Sequence, residues 1–237
     1  MSENTEIYTV SYYTKSLIEH VIQGVHINKV FYSPLKFQEL NEEIDDKRIE
    51  QYKVESHKYF LLSSVSRWSK NNLRAVIALD ELMSAKQIPE GYKVILLGCD
   101  YTYKKYIMKK IKNKENFVYK DFVPEAELEL LYKYAYVFIY PSLVEGFGYP
   151  PIEAMRFGTL SLCSTSTSIP EICGDASIYF NPKSITSIKL AIMQSLDKKY
   201  YNTFSLKMKR HYSELSAKQN EDMELLIENI FNLLQNT

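Results

Sequence analysis

The chain contains 237 residues, with 29 Lys or Arg and 29 Asp or Glu, so its formal net charge at pH 7 is zero. At ~150 residues per domain this length allows one or two domains, and the neutral charge gives no overall electrostatic reason to bind nucleic acid. No apolar run approaches the ~20 residues of a membrane span, and the polar start MSENTEIY lacks the apolar core of a signal peptide, so we expect a cytoplasmic protein.

The first predicted elements lie within residues 7–37, where IYTVSYYTKSLIEHVIQGVHINKVFYSPLKF reads as strand, helix and strand. A piece this small leaves part of its helix uncovered, and exposed apolar surface marks a partner interface or an unstable segment. The apolar residues concerned are Val10, Leu17, Ile18, Val21 and Ile22. Residues 38–57 then form a charged, glycine-free linker.

A second group of elements lies in residues 58–82, KYFLLSSVSRWSKNNLRAVIALDEL. The short apolar run FLL, followed by serines, is typical of a buried parallel strand, and helical spacing of apolar residues follows after a loop. Arg67 and Lys70 therefore lie where the carboxyl end of a strand turns into a helix, which is where open α/β sheets bind ligands. Arg suits bidentate contact with phosphate and Lys adds a compact charge, although a solvated loop is the simpler alternative.

Residues 94–97 predict the next strand, and a lysine-rich helix follows it. Its lysines surround three apolar or aromatic positions, which would allow the helix to lie against anionic lipid at the inner face of a membrane. A solvated helix face is the more common origin of such a charge run. The residues are Lys104, Lys105, Lys109, Lys110, Lys112 and Lys114, around Tyr106, Ile107 and Ile111.

The remaining pattern alternates strand and helix. Strands are predicted from residue 116 to 118, over 136–140, 160–163 and 178–180, and helices over 125–134 and 185–196. This alternation predicts an α/β fold, a Rossmann-like parallel sheet flanked by helices with right-handed crossovers.

A last helix, over 216–234, places five apolar side chains on one face. Ordinary core packing is the simpler explanation of this stripe, and docking on a partner is the alternative. The side chains are Met223, Ile227, Ile230, Phe231 and Leu234.

A glycine loop follows the strand over 136–140, in the sequence PSLVEGFGYPPIEAM. Glu145 and Glu153 flank Gly146, Gly148 and two prolines. Glycines allow backbone N–H groups to approach phosphate oxygens, and a helix N-terminus offers further donors. Proline fits the start of the helix, so we expect Glu153 in its first turn, where it can accept from two adjacent hydroxyls. The pattern predicts a ligand with a diphosphate and a vicinal diol such as a ribose; a capping glutamate beside turn glycines is the alternative.

The stretch EGFGYPPIEAM resembles the retaining glycosyltransferases of family 4, which have the two-domain GT-B fold. The flanking YPSL (residues 140–143), SIPE (168–171) and GDA (174–176) match as well. The resemblance implies the C-terminal half of a GT-B fold, with residues 46–215 as the nucleotide-sugar-binding domain and 216–237 as a C-terminal helix. Residues 1–45 would be a short remnant of the N-terminal, acceptor-side domain and a linker.

The resemblance also implies roles for the glycine loop. Glu145 would contact hydroxyls of the donor sugar, and Glu153 would hold the ribose. The backbone of Gly146, Phe147 and Gly148 would meet the phosphates.

The other implied contacts come from different loops. Arg67 and Lys70 would hold the diphosphate, and Val123, in KDFVP, would lie where the family places the base. The donor would be a UDP- or GDP-sugar, and GT-B enzymes generally use neither a metal nor another cofactor.

The implied activity is transfer of the sugar, with retention, to a glycan or lipid-linked acceptor. A second polypeptide is expected to supply the rest of the acceptor domain. The alternative is a non-catalytic module that binds a nucleotide sugar and regulates or scaffolds another glycosyltransferase. Nucleotide-sugar epimerases share the architecture, but the EGFG…EAM pattern is typical of transferases.

Overall fold

The computed structural model describes residues 6–34 and 46–235. The strands are β1 (Tyr8–Thr9), β2 (Lys29–Val30), β3 (Tyr59–Leu62), β4 (Lys93–Leu97), β5 (Phe117–Lys120), β6 (Val137–Tyr140), β7 (Leu160–Ser164) and β8 (Ile178–Phe180). The α-helices are α1 (Tyr12–Val21), α2 (Asn72–Ser84), α3 (Tyr101–Met108), α4 (Glu125–Tyr134), α5 (Tyr149–Arg156), α6 (Ile169–Cys173), α7 (Ile185–Leu196) and α8 (Lys198–Gln235). Short 3-10 turns cover Asp46–Tyr52, Trp68–Lys70 and Lys114–Asn116.

A parallel sheet of six strands forms the centre of the molecule, in the order β5-β4-β3-β6-β7-β8. The first strand of this sheet in chain order, β3, lies in the middle, and β4 and β5 follow on one side of it. The chain then returns to place β6 on the other side of β3, and β7 and β8 continue to the opposite edge. The strand order thus reverses between the neighbours β3 and β6, and in doubly wound sheets the loops at such a reversal line the ligand crevice at the carboxyl edge. The predicted Rossmann-like parallel sheet is confirmed.

Apolar strands explain why this sheet lies inside the molecule. The sequences YFLL of β3 and VFIY of β6 are buried at every position. Helices cover both faces of a parallel sheet, so its strands need no polar alternation. Among the helices, α2 packs with α7, and α5 packs with α8.

The N-terminal segment, residues 6–34, has the predicted strand–helix–strand form. Its strands β1 and β2 pair in parallel, separate from the main sheet. Helix α1 buries none of its own residues, and Leu17, Val21 and Ile22 remain exposed. Of the predicted linker over 38–57, residues 38–45 lie outside the described residues.

Helix α8 is longer than the predicted C-terminal helix, because it runs without a break from residue 198 to 235. It crosses to the N-terminal segment, where the carboxylate of Asp222 accepts from the Tyr32 backbone N–H at 2.9 Å. Beyond this crossing the apolar stripe is not part of the core, because Ile230 is 45% exposed and Phe231 is 60% exposed. None of the described helices is both long and apolar enough to span a bilayer.

Candidate functional site

The loops that follow β3 and β6 meet at the carboxyl edge of the sheet. The backbone N–H of Leu143 donates to the Ser69 carbonyl at 2.8 Å, and the Ser142 hydroxyl oxygen lies 3.2 Å from the same carbonyl oxygen. These strands are neighbours at the point where the strand order reverses, which is where doubly wound sheets bind ligands. The fold therefore brings Lys70 of the first loop to Glu145 of the second.

Lys70 and Glu145 form an ion pair with 2.7 Å between Nζ and Oε1, and their side chains are only 12% and 15% exposed. The Lys70 ammonium also donates to the Tyr140 hydroxyl at 2.7 Å, and the Ser142 hydroxyl donates to Glu145 Oε1. Burial and the Glu145 carboxylate raise the pKa of Tyr140, so its phenol stays protonated. The hydrogen bonds from Lys70 and Ser142 both reach Oε1 of this carboxylate.

Arg67 lies at the start of the same 3-10 turn as Lys70. Its side chain is exposed, and within residues 6–34 and 46–235 its guanidinium makes neither an ion pair nor a hydrogen bond. The turn thus carries one cation paired in the crevice and one directed to solvent. Such an arrangement leaves the planar guanidinium available for a bidentate contact with phosphate.

Asn71 fixes the position of this turn. Its backbone is left-handed, with φ 56°, a conformation that Asn tolerates better than most residues. Its buried Nδ2 donates to the carbonyls of Pro141 at 2.9 Å and Pro182 at 2.8 Å. One side chain therefore ties together the loops that follow β3, β6 and β8.

The glycine loop presents unpaired backbone donors. Gly148 has φ 104°, which glycine adopts without strain, and it caps the N-terminus of α5. Among the described residues, the N–H groups of Gly146, Phe147 and Gly148 have no protein acceptor. The Phe147 side chain is buried against Tyr32, with ring centroids 5.5 Å apart, so only its backbone is open to a ligand.

Glu153 lies in the second turn of α5, and the prediction of a first-turn position was wrong. The helix begins at Tyr149, ahead of the two prolines, and its first turn contains no acidic residue. Proline has no backbone N–H, and no N–H in the first turn of a helix has a partner within the helix. Proline is therefore tolerated throughout the first turn and does not mark the first residue of the helix. Oε2 of the half-buried Glu153 accepts from the Tyr132 hydroxyl at 3.0 Å. Burial raises the pKa of this carboxyl, and the Tyr132 hydrogen bond opposes the shift.

Val123 follows β5 at the same edge of the sheet, half-buried against the core. The neighbouring Phe122 is 82% exposed. No hydrogen bond among the described residues joins this loop to the Lys70–Glu145 pair. Val123 therefore lies on the β5 side of the crevice, apart from the charged centre.

Sequence reasoning missed the contacts that the N-terminal segment makes with this site. The hydroxyl of Ser11 donates to the Gly146 carbonyl at 2.6 Å. The carboxylate of Glu171 accepts from the backbone N–H groups of Tyr12 at 2.8 Å and Tyr13 at 2.9 Å, at the start of α1. Glu171 stands in the SIPE run, but nothing in the sequence pairs it with residues so far away in the chain. Helix α1 is thus anchored on the glycine loop and on α6.

In the lysine-rich patch, the structure places the isoleucines in the core and the lysines at the surface. Ile107 and Ile111, which would have entered a lipid surface, are buried in the core. The lysines remain outside, and Lys105 Nζ lies 4.3 Å from the centroid of the Tyr101 ring. This placement favours a solvated helix face.

Comparison with protein families matches residues 43–219 to the model described as "Glycosyl transferases group 1". The serotype-specific mannosyltransferase WbdA of Escherichia coli is 30% identical over 189 residues, which are 75% of this chain and 22% of the relative. The O-antigen chain mannosyltransferase RfbU of Salmonella typhimurium is 32% identical over 145 residues, 59% of this chain and 39% of the relative. The chain thus matches well under half the length of these curated relatives.

Among solved structures, a glycosyltransferase from Rickettsia africae ESF-5 superimposes with a TM-score of 0.75 at 17% identity. The match covers 99% of this chain and 65% of that one. At such low identity the likeness shows the fold alone, and it confirms the expected half of a GT-B fold. The family match confirms the resemblance at the level of the group 1 glycosyl transferases.

Proposed function

The chain belongs to the group 1 glycosyl transferases, and we propose that it binds the nucleotide-sugar donor of an enzyme that transfers a sugar, with retention, to a glycan or lipid-linked acceptor. The observation that carries this proposal is the cluster at the reversal of strand order. There the Lys70–Glu145 pair, with 2.7 Å between Nζ and Oε1, lies on loops next to the unpaired N–H groups of the glycine loop. Cations and backbone donors around one crevice suit a diphosphate.

Arg67, Lys70 and the glycine-loop N–H groups are proposed to hold the diphosphate. Breaking the bond between sugar and phosphate leaves negative charge on the departing nucleotide. Fixed cations and N–H donors stabilise that charge as it develops in the transition state. The buried partner of Lys70 keeps its ammonium in place before the substrate arrives, so little reorganisation is needed.

The two glutamates are proposed to hold different parts of the donor. Oε1 of Glu145 is already occupied by Lys70 and Ser142, which leaves Oε2 for a hydroxyl of the sugar. Glu153 is proposed to accept from the ribose hydroxyls, since a carboxylate can accept from two neighbouring donors. Alignment of the sugar by Glu145 would then contribute to rate by orienting its anomeric carbon.

We propose mannose as the transferred sugar and a polysaccharide as its destination, because both relatives are named as mannosyltransferases, one of them of the O-antigen chain. The donor is then GDP-mannose or its UDP counterpart. Val123 is proposed to lie against the base.

The acceptor side is proposed to come from a second polypeptide that covers the exposed apolar face of α1, formed by Leu17, Val21 and Ile22. Sugar transfer by the purified chain alone would contradict this part. Membrane contact through the lysine patch would depend on the lysine charges, because Ile107 and Ile111 are buried. Vesicle co-sedimentation that is unchanged by charge reversal of the lysines would remove it.

Calorimetry against UDP, GDP and their mannose conjugates tests the donor site. We expect binding of at least one ligand, weakened at least ~10-fold, about 1.4 kcal/mol, by Glu153→Ala or Arg67→Ala. Arg210→Ala, at an exposed ion pair on α8, is the matched control and should bind as the wild type does. Failure to bind any of these nucleotides would contradict the proposal. Binding without transfer in the presence of acceptor and partner would favour the non-catalytic module.

A further inference from the structure

The two candidate glutamates are held in different ways. A cation holds Glu145, whereas Glu153 is held by a phenol, the hydroxyl of Tyr132, at 3.0 Å from its Oε2. Tyr132 lies on α4 and is 2% exposed, and its ring packs edge-on against Phe138 with centroids 5.3 Å apart. Its backbone carbonyl accepts from the Thr159 hydroxyl at 2.6 Å. Packing and backbone contacts thus fix the position of this hydroxyl independently of Glu153.

We propose that Tyr132 is a positioning residue that holds the Glu153 carboxylate ionised and aimed at the two ribose hydroxyls of the nucleotide donor. The inference rests on the proposed function, in which Glu153 contacts the ribose. A half-buried carboxylate without a hydrogen-bond donor is costly to keep charged. The Tyr132 hydroxyl supplies that donor and occupies one oxygen. Among the described residues nothing donates to the other oxygen, Oε1, which is therefore left for the ligand.

Other charges around Glu153 make this hydrogen bond necessary. Burial raises the pKa of the Glu153 carboxyl, and Glu125 and Glu129 on α4 raise it further. Against them stand the Tyr132 hydrogen bond and, from the loop after β3, Lys70. Burial, together with the Glu153 charge, also raises the pKa of Tyr132 well above its ordinary value, so the phenol remains a donor. Without the Tyr132 hydroxyl, the pKa of the Glu153 carboxyl would be higher, so it would take up a proton at a higher pH than in the wild type.

The test compares Tyr132→Phe with Tyr59→Phe. Tyr59 is also buried, and its hydroxyl donates at 2.7 Å to the carbonyl of Leu131 on the same helix, α4, instead of to Glu153. Calorimetry from pH 5.5 to 8.5 would use UDP and GDP and their 2′,3′-dideoxy analogues. Thermal unfolding would verify that both variants are folded.

We expect Tyr132→Phe to weaken binding of the ribonucleotide by roughly 5- to 10-fold at pH 7, the scale of the net contribution of one ordinary hydrogen bond. Because the unpaired carboxyl takes up a proton at higher pH, the loss of affinity on acidification should begin at higher pH than in the wild type. The affinities of the wild type and Tyr132→Phe for the dideoxy analogue should agree within roughly twofold. Tyr59→Phe should bind the ribonucleotide with the affinity of the wild type. Glu153→Gln, which cannot ionise, should remove the pH dependence.

Equal affinities of Tyr132→Phe and Tyr59→Phe for the ribonucleotide would overturn the inference while leaving the donor site intact. An equal loss for ribonucleotide and dideoxy analogue would also overturn it, since the effect would then not pass through the diol. A wild-type chain that binds neither UDP nor GDP would instead overturn the proposed function.

Discussion

Replacing Lys70 by Met tests the ion pair at the centre of the site. The Met side chain has a similar length but no charge, so Glu145 would remain as a carboxylate that is only 15% exposed, and the Ser142 hydroxyl would still donate to it. Removing one partner of a buried pair costs ~3–5 kcal/mol. The surviving Ser142 hydrogen bond and partial exposure put the expected loss of unfolding free energy near the lower end, ~3 kcal/mol.

The measurement is urea denaturation, supported by thermal unfolding. For a chain of this size ~3 kcal/mol corresponds to a melting temperature lower by ~6–12 °C. The double variant Lys70→Met/Glu145→Gln should recover more than half of the loss, because no charge is then left unpaired in the crevice.

The matched control is Arg210→Met. Arg210 pairs with Glu214 on α8, with 3.6 Å between Nε and Oε1, and both side chains are 66% exposed. An exposed pair of this kind on a helix contributes ~0.3–0.5 kcal/mol, so Arg210→Met should lower the unfolding free energy by no more than this amount. If Lys70→Met cost no more unfolding free energy than Arg210→Met, the Lys70–Glu145 pair would not hold the two loops together.

Two further predictions concern the loops that carry the site. Gly148→Ala and Gly91→Ala both place a side chain at positive φ, 104° and 87°, and each should cost ~1–2 kcal/mol of unfolding free energy. Calorimetry should show weaker nucleotide binding for Gly148→Ala alone; equal binding by both variants would contradict a role for the glycine loop. Glu171→Ala removes the acceptor of two N–H groups at the start of α1, a loss of ~1 kcal/mol as for other helix caps, and hydrogen exchange at Tyr12 and Tyr13 should become faster. Asp100→Ala, which removes the cap of α3, should leave those amides unchanged, and the anchoring of α1 would be in doubt if it did not.

The sheet and the crevice could be predicted from sequence because the relevant information is local. Each central strand is an apolar run bounded by polar residues, and Gly148 with its following prolines marks the start of a helix. Given a parallel sheet, residues just after strands must lie at one edge, so the proximity of Lys70 and Glu145 follows from topology. Their direct pairing did not follow, since it depends on how two loops are tied by Ser69 and Asn71.

The contacts that could not be predicted join residues far apart in the chain. Tyr132 on α4 donates to Glu153 on α5, and Glu171 accepts from the start of α1 more than 150 residues earlier in the chain. The local sequence around one partner does not indicate the other. The lysine-rich helix shows the reverse case. Its isoleucines suggested a surface property, but helical spacing cannot tell whether an apolar residue faces lipid or core, and Ile107 is buried.

The separate roles of the two glutamates are tested by calorimetry of Glu145→Ala and Glu153→Ala with a free nucleoside diphosphate and with the corresponding intact nucleotide sugar. If one glutamate holds the sugar and the other the ribose, Glu145→Ala will spare the affinity for the free nucleotide and lower that for the nucleotide sugar. Glu153→Ala will lower both affinities. Equal losses for the two ligands with Glu145→Ala would contradict the division of roles.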